Sequence, residues 1–428
     1  MTPRSRRAAR RNPGTLVPVA SASSRPRLRP IETIIVPDKR LGRALMMRDT
    51  QGITSSHVLL PMELLPIVGR FDGTNTCETI ARLASTEMGE TVSTERVVQL
   101  ASELEEALFV EGAPYRRERA RIEREVADAD VRSASHAGGA YPGEPGKLAR
   151  YIKEECFGIA GADGADEGDR LLGLVAPHID PWRGARGYGE AYGVLAKALP
   201  ADADTFVLFG TSHAPMREPF SLCRKAFATP LGRLEADLDS IDAIATACDF
   251  DPYADQLNHK REHSLEFQAV FLRHLLGDRK ARIIPILAGL GEHQMSGKSP
   301  SSARAVERFL DAVRKVVDTK NAVVIAGADL AHVGPRFGDP LPFDEGERAA
   351  LHETDRESLD HATRGDAEAF WRHVAGDLET RRVCGLAPIY SLLRTIASGT
   401  RGRLRHYEQN VDPDEGSIVS HAALGFYG

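Results

Sequence analysis

Three segments of this 428-residue chain place histidines and aspartates directly after a strand-like apolar run. In chain order, these polar residues are His178 and Asp180, then His213, then Asp329 and His332. Buried charges are costly unless they are paired or bound to a metal, so a hydrophobic core does not require such side chains. Imidazoles and carboxylates are suited to metal ligation and to general acid–base catalysis. The repetition therefore indicates a shared functional site.

Two further segments add candidate residues. REHSLEFQAVFL places Glu262, His263 and Glu266 at the start of a predicted helix, with Ser264 as a candidate cap. RRVCGLAPIYSLL places Cys384 just before an apolar helix, where a thiol has a lowered pKa and is a better ligand or nucleophile. Imidazoles together with a thiolate favour iron, copper or zinc over magnesium or calcium.

These residues can meet only if the fold brings distant parts of the chain together. Near-continuous apolar runs, separated by helix-length segments, predict an α/β fold with a central, mostly parallel sheet flanked by helices. The predicted strands are residues 171–176, 205–210, 282–289 and 322–327. In such sheets the carboxyl ends of the strands share one edge, where ligands bind. We therefore expect the strand-end residues to converge there.

The rest of the chain is predicted to form three smaller segments. Residues 1–31 carry eight arginines and no acidic residue, which is typical of a disordered basic tail. Residues 32–119 predict a hairpin and three short helices, a small winged-helix-like domain. Alternating charges over 120–132 predict an exposed helical linker. The α/β domain then occupies residues 133–428.

Bulk composition excludes several classes of protein. No apolar run approaches 18 residues, and no secretory h-region is present, so we expect no membrane span. The five cysteines form no CxxC pair, which favours a reducing, cytoplasmic compartment. A net charge of −6 and the absence of a concentrated basic helix argue against a nucleic-acid partner.

At these motifs the sequence resembles the Memo family, known in bacteria and archaea as AmmeMemoRadiSam system protein B. The resemblance implies a fold like that of the class III extradiol dioxygenases. The segments that match the Memo family, in family order, are SHAGGAYPG, APHID, GTSHA, EHSLEFQ, ADLAH, CGLAPI and SIVSHAALGFYG.

A second resemblance concerns the N-terminal part of the chain. The segment 32–119 is similar to PqqD-like domains, which bind leader peptides.

The resemblance to the Memo family also implies roles for individual residues. By family position, His178, His213 and Cys384 are metal ligands for Fe(II) or copper, with zinc a further option. Asp329 and His332 fall on positions that line the same pocket, and His136 and His263 also match family positions. The sequence departs from the family pattern at Asp180, at Ala214 and at Leu386-Ala387-Pro388, which indicates an altered substrate pocket.

The leading hypothesis is a mononuclear redox-metal protein acting on a small molecule or a peptide, as an oxidoreductase or within a modification system. The resemblance implies a radical-SAM enzyme and a small companion protein as partners. The candidates for acid, base or orienting roles are Asp329, His332, His263, Glu266 and Asp180.

Two alternatives stay open at this point, so whether the site is catalytic is undecided. In the first, Cys384 is a metal-independent nucleophile for acyl transfer, with His213 or His332 as the base and Asp329 as the orienter. In the second, the Cys/His site only binds metal, as a reservoir or a structural clamp.

Overall fold

The computed structural model describes residues 20–160, 170–290, 296 and 298–428. Contacts between backbone positions divide them into two compact units, one of residues 20–29 and 60–122 and the other of residues 30–59 and 123–428. This division differs from the predicted boundaries, because residues 30–59 group with the larger unit. Within that unit, the Gln51 amide donates to Asn258 Oδ1 at 3.0 Å and Lys260 Nζ donates to the carbonyl of Gly52 at 2.7 Å.

The smaller unit is built around three helices, α1 (Leu65–Val68), α2 (Cys77–Met88) and α3 (Thr94–Glu106). Buried apolar residues recur at helical spacing on α2 and α3, which pack together. The predicted basic tail is wrong for residue 29: Arg29 is buried, and its backbone N–H donates to the carbonyl of Phe109. Residues 1–19 of that prediction lie outside the described residues. The winged-helix-like assignment stays a prediction.

Fourteen strands occur in the described residues. They are β1 (Glu32–Asp38), β2 (Gly42–Arg48), β3 (Val58–Pro61), β4 (Val131–Arg132), β5 (Leu171–Ala176), β6 (Thr205–Thr211), β7 (Phe220–Leu222), β8 (Ala226–Thr229), β9 (Gly232–Ala236), β10 (Arg282–Ala288), β11 (Val323–Gly327), β12 (Asp329–Val333), β13 (Arg401–Val411) and β14 (Ile418–Tyr427). The four strands predicted for the α/β domain correspond to β5, β6, β10 and β11.

The remaining helices belong to the larger unit, except that α4 runs across the division at residue 122. They are α4 (Ala113–Asp128), α5 (Pro145–Tyr151), α6 (Pro181–Ala198), α7 (Leu238–Ala247), α8 (His263–Leu276), α9 (Arg304–Lys320), α10 (Glu345–Thr363), α11 (Ala367–Ala375), α12 (Leu378–Arg381) and α13 (Leu386–Thr395). The predicted linker at 120–132 is helical only as far as Asp128; it ends in β4, where Arg132 is buried.

The sheet of the larger unit has a parallel core in the order β5-β11-β6-β10-β9. Strands β5, β11, β6 and β10 are buried along most of their length, whereas β9 is mostly exposed. On β6, Val207 and Phe209 face one apolar cluster, while Phe206 and Leu208 face the other. Helices α6 and α8 cover one face and α13 covers the other. The predicted α/β fold with a mostly parallel sheet between helices is confirmed.

β14 completes the sheet around the end of β5. Residues 424–427 of β14 pair antiparallel with β5, and residues 418–421 continue past the end of β5 to pair with β12. β13 pairs along the length of β14. The chain leaving β5 at Pro177 and His178 therefore turns away from the sheet at a point bordered by β12 and β14.

Every helix in the described part of the chain is too short or too polar to cross a bilayer.

Candidate metal centre at the carboxyl edge of the sheet

His178 lies just beyond the end of β5 and is almost completely buried. Its backbone N–H donates to Oδ1 of Asp329 at 2.9 Å, and its ring Nδ1 lies 3.0 Å from the carbonyl oxygen of Gly327. A carbonyl oxygen only accepts hydrogen bonds, so the Nδ1 proton is fixed in this contact. In the neutral ring, Nε2 therefore carries the lone pair, and it lies 3.1 Å from the Cys384 sulfur.

His213 follows β6 and is held by a single carboxylate. Glu262 accepts the Nδ1–H of His213 through Oε1 and its backbone N–H through Oε2, both at 2.9 Å. The contact again leaves Nε2 as the free ring nitrogen of the neutral imidazole. Burial opposes ionisation of Glu262, but the neighbouring His213 outweighs it and holds the carboxyl pKa well below its usual range. An anionic Glu262 is thus matched to a positively charged partner, a protonated His213 or a metal bound to it.

His263 is the third imidazole of the group. It opens α8, and its ring stacks on His213 with 4.4 Å between the ring centroids. One donor atom from each of His178, His213 and His263 lies within 4.8 Å of the other two. Burial and the nearby His213 hold the pKa of His263 well below its usual range. It is therefore a neutral imidazole that can ligate a cation.

Cys384 adds a sulfur to this group from the opposite face of the sheet. Burial disfavours its thiolate, but the imidazoles of His178 and His332 outweigh that effect and lower the thiol pKa to about 5. For His178, burial favours the neutral ring, yet Cys384 and Asp329 raise its pKa to about 9. The Cys384 thiolate and the His178 imidazolium each favour the charged form of the other, so the two groups favour a thiolate–imidazolium pair.

Glycines allow the elements of the site to approach closely. A Cβ on Gly327, at the end of β11, would lie 2.4 Å from the Ser264 carbonyl oxygen. A Cβ on Gly210 in β6 would lie 2.5 Å from the Ser264 hydroxyl. Gly385 packs against β12, where a Cβ would lie 2.3 Å from the Asp329 carbonyl oxygen. These contacts bring the start of α8 and Cys384 to the strand ends.

The predicted acid–base candidates occupy different positions. Asp329 is buried, and its Oδ2 lies 3.6 Å from His178 Nε2. His332 is half-buried, with its ring against Phe337. Asp180 is exposed at the start of α6 and is not one of the grouped donors.

Glu266 is fully buried behind the site. Its carboxylate accepts hydrogen bonds from Arg132, from Ser135, from the His136 backbone and, at 2.5 Å, from the Tyr141 hydroxyl. Arg132 also donates to the carbonyl oxygen of Glu262 at 2.7 Å. With all these donors attached, Glu266 anchors the loop that carries His136, and it has no free proton to exchange with a substrate.

The three imidazoles fit a transition metal by donor type and by distance, and Cys384 adds a thiolate 3.1 Å from His178 Nε2. Neutral nitrogen and ionised sulfur ligands are those that zinc, iron and copper bind well. His178 and His213 each have the remaining ring nitrogen bonded to an oxygen, the usual support of a metal-bound histidine. The cluster formed by His178, His213 and His263 can therefore hold a metal ion.

The family model for Memo-like proteins matches residues 132–425 of this sequence. The chain belongs to the Memo family. This match spans the sheet, the histidine group and Cys384, and it confirms the resemblance seen in the motifs.

Curated relatives share the family over long alignments. A MEMO1 family protein of Aquifex aeolicus is 27% identical over 389 residues, covering 90% of this Memo chain and 96% of the relative. A MEMO1 family protein of Methanosarcina mazei is 28% identical over 301 residues, covering 69% of this chain and 98% of the relative. The Aquifex alignment is longer than the segment from residue 132 onward, so the similarity extends into the N-terminal part of the chain.

One similar solved structure is an uncharacterized Escherichia coli K12 protein. It is 11% identical with a TM-score of 0.31, covering 60% of this chain and 99% of that one. At that level the likeness supports no conclusion.

The open side of the Memo site faces a cavity of about 610 Å³. His213 and Cys384 contribute to its wall, and residues 375–380, from the end of α11 into α12, form much of the remainder together with Arg382. Arg382 is paired with Asp339 at 2.8 Å, so its charge is already matched. A ligand in this cavity would lie beside two of the predicted metal ligands.

The sequence did not reveal the supporting residues Arg132 and Tyr141. It also did not reveal that Glu262 bonds both the ring and the backbone N–H of His213. The alternating charges around Arg132 predict a linker at this position. The sequence predicts Ser264 as the cap of α8, but the cap is Glu262, which accepts from the Ser264 backbone N–H at 3.0 Å. The signal for Glu262 was its place directly before a histidine at a helix start.

Proposed function

We propose that this Memo protein uses a single redox-active metal, Fe(II) or copper, bound by His178, His213 and Cys384. His263 is a further ligand or the first polar neighbour of the ion. The observation that carries the proposal is the approach of Cys384 Sγ to 3.1 Å from His178 Nε2, beside imidazoles whose other nitrogens are occupied. Zinc fits the same donors, so redox activity is the part of the proposal that metal analysis must establish.

A bound redox metal would supply electron transfer and polarisation of a ligand. The residues of the protein hold the metal ligands in their orientations. Asp329 and the Gly327 carbonyl fix the ring of His178, and Glu262 fixes that of His213. Substrate enters from the cavity beside His213 and Cys384. His332 is half-buried and is the candidate to exchange a proton with the substrate, while the neutral His263 can act only as a proton acceptor if it does not bind the metal.

The test is the metal content of protein purified without oxygen. Wild type, His178→Ala and Cys384→Ser are compared with Cys248→Ser, whose cysteine lies at the end of α7. About one iron or copper per chain, lost in the first two variants and kept in the third, is the expected result. No bound metal after reconstitution of the wild type contradicts the proposal.

A second candidate function is metal-independent acyl transfer by Cys384. It is favoured by the same thiolate–imidazolium pair, which matches the pairing of a nucleophilic cysteine with its base. Alkylation of Cys384 separates the two. It lowers metal content if Cys384 is a ligand, and it abolishes turnover at unchanged metal content if Cys384 is a nucleophile. A non-catalytic metal clamp is the third candidate, and it requires stability that falls on chelation with no oxygen uptake.

The partners also belong to the proposal. The radical-SAM enzyme, its companion protein and a leader-peptide role for residues 32–119 are supported only by sequence resemblance. Co-purification with a radical-SAM protein would support the first, and binding of a fluorescent leader peptide by the full chain would support the last.

A further inference from the structure

A second group of potential ligands lies on the β13–β14 hairpin. Glu408 and His421 are directly opposite each other in the antiparallel register, and His406 precedes Glu408 by two residues on the same face. Glu408 Oε2 lies 3.1 Å from His406 Nε2 and 3.9 Å from His421 Nε2. None of the three is a donor of the group at His178.

His421 is the unusual member of this group. It is fully buried, and neither ring nitrogen has a hydrogen-bond partner among the described residues. Leaving a buried polar group unpaired costs about 1–3 kcal/mol. The ring is held in place by α6, since a Cβ on Gly187 would lie 2.9 Å from it. A fixed imidazole that faces a carboxylate and has no hydrogen-bond partner is suited to bind a cation.

The charge states also suit a cation. Burial lowers the pKa of His421, so its ring is neutral at physiological pH and has a lone pair to donate. The hydrogen bond from His406 lowers the pKa of Glu408, so its carboxylate is ionised. The Glu408 side chain is about one-third exposed (35%), which gives an ion a path to the group. Arg183 and Arg186 of α6 are the nearby positive charges.

We propose that His406, Glu408 and His421 form a second metal site, for a divalent ion such as Zn²⁺. Two donors bound to one tetrahedral Zn²⁺ lie about 3.4 Å apart, and the two measured separations from Glu408 lie on either side of that value. The ring centroids of His406 and His421 are 6.1 Å apart, on either side of the Glu408 carboxylate that both rings approach. The two imidazole ligands favour zinc, copper or nickel over magnesium.

The experiment is a Zn²⁺ titration of the full-length apoprotein by calorimetry, with Co²⁺ absorption spectra to report nitrogen and sulfur ligation. We expect two equivalents in the wild type and one in His406→Ala and in Glu408→Gln. These two side chains are partly exposed, so both variants are expected to fold, and melting curves check this. The double variant His178→Ala, Cys384→Ser is expected to keep one equivalent, without the thiolate absorption band.

The matched control is Glu357→Gln, which removes another carboxylate close to a histidine, 3.4 Å from His373 Nε2. If the wild type binds two equivalents of Zn²⁺ and Glu408→Gln also binds two, the second site is overturned. The second site is also overturned if Glu357→Gln loses an equivalent, because that result indicates binding at the surface. In a third outcome, the wild type binds one equivalent of Zn²⁺ that Glu408→Gln loses and the double variant His178→Ala, Cys384→Ser keeps. That result supports the second site and contradicts the proposed function.

Discussion

Glu262 binds His213 with both carboxylate oxygens, one on the ring N–H and one on the backbone N–H, each at 2.9 Å. The ring orientation and the position of the strand end are thereby set by one side chain, which itself caps α8. Support of this kind typically contributes 10- to 100-fold to metal affinity.

Replacing Glu262 tests that contribution. Glu262→Gln retains the shape of the side chain and removes its charge, so we expect metal affinity to fall about 10- to 100-fold while the fold is retained. Competition with a chelator of known affinity measures the change. Glu379→Gln, at an exposed position on the cavity wall, is the control and should bind as the wild type does. Equal affinity in all three proteins would show that Glu262 has no supporting role.

The reactivity of Cys384 should follow its lowered pKa. In the metal-free protein, we expect its alkylation by iodoacetamide to rise through a midpoint near pH 5 and to be constant above pH 7, because the thiolate is the nucleophile. Burial raises the pKa of Cys248 to about 11, so that thiol should remain unmodified at pH 6.5. Mass spectrometry of peptides identifies the modified residue. A midpoint near 9 for Cys384 would rule out the thiolate–imidazolium pair.

The same pair predicts how stability depends on pH. The depressed pKa of Cys384 contributes stability that is lost as pH falls toward 5, and the raised pKa of His178 contributes stability that is lost as pH rises toward 9. With an ordinary histidine pKa near 6.5, the two effects cancel between about pH 6.5 and 9. The excess stability of wild type over Cys384→Ser should therefore rise from pH 5 to about 6.5 and then stay level, as measured by urea unfolding.

Gly385 is expected to tolerate no side chain. In Gly385→Ala the new Cβ would lie 2.3 Å from the Asp329 backbone oxygen, so we expect a loss of about 1–3 kcal/mol in the free energy of unfolding and weaker metal binding. Gly193→Ala is the control, because a Cβ there meets nothing within 4 Å on α6 and should stabilise by about 0.5–1 kcal/mol. Unchanged stability in Gly385→Ala would mean that α13 and β12 can separate freely.

Arg132 and Glu266 form a buried ion pair whose two members depend on each other. Arg132→Met leaves the Glu266 carboxylate buried without its cation, and we expect a loss of about 3–5 kcal/mol in the free energy of unfolding. Adding Glu266→Leu should recover part of the loss, since an apolar pair replaces the charges. Denaturant unfolding of the single and double variants measures the coupling; additive losses would show that the pair contributes nothing jointly.

The strand ends were predictable and the helix contacts were not. Continuous apolar runs identified β5, β6, β10 and β11, and their parallel order brings His178 and His213 to one edge. His263 joins them only because Gly210 and Gly327 let α8 approach the strand ends. That distance depends on tertiary packing, which leaves no local pattern in the sequence.

The role of Glu266 was hidden for a related reason. Its spacing from His263 suggested a shared functional face, while its cation, Arg132, is 134 positions away along the chain. Pairing over such a separation is fixed by the sheet that holds β4 and not by the helix that carries Glu266. Sequence spacing therefore identified the right segment and an incomplete role.

The position of β14 affects when the site can form during biosynthesis. Residues 418–421 of β14 hold β12 in register, including Asp329, and residues 424–427 hold β5, which leads to His178. A nascent chain that has been translated only through His263 has three imidazoles but neither β12 nor β14. The arrangement of Asp329 and His178 described above is therefore complete only after the β13–β14 hairpin has been synthesised, so the metal proposed for this site would bind in its final geometry after translation.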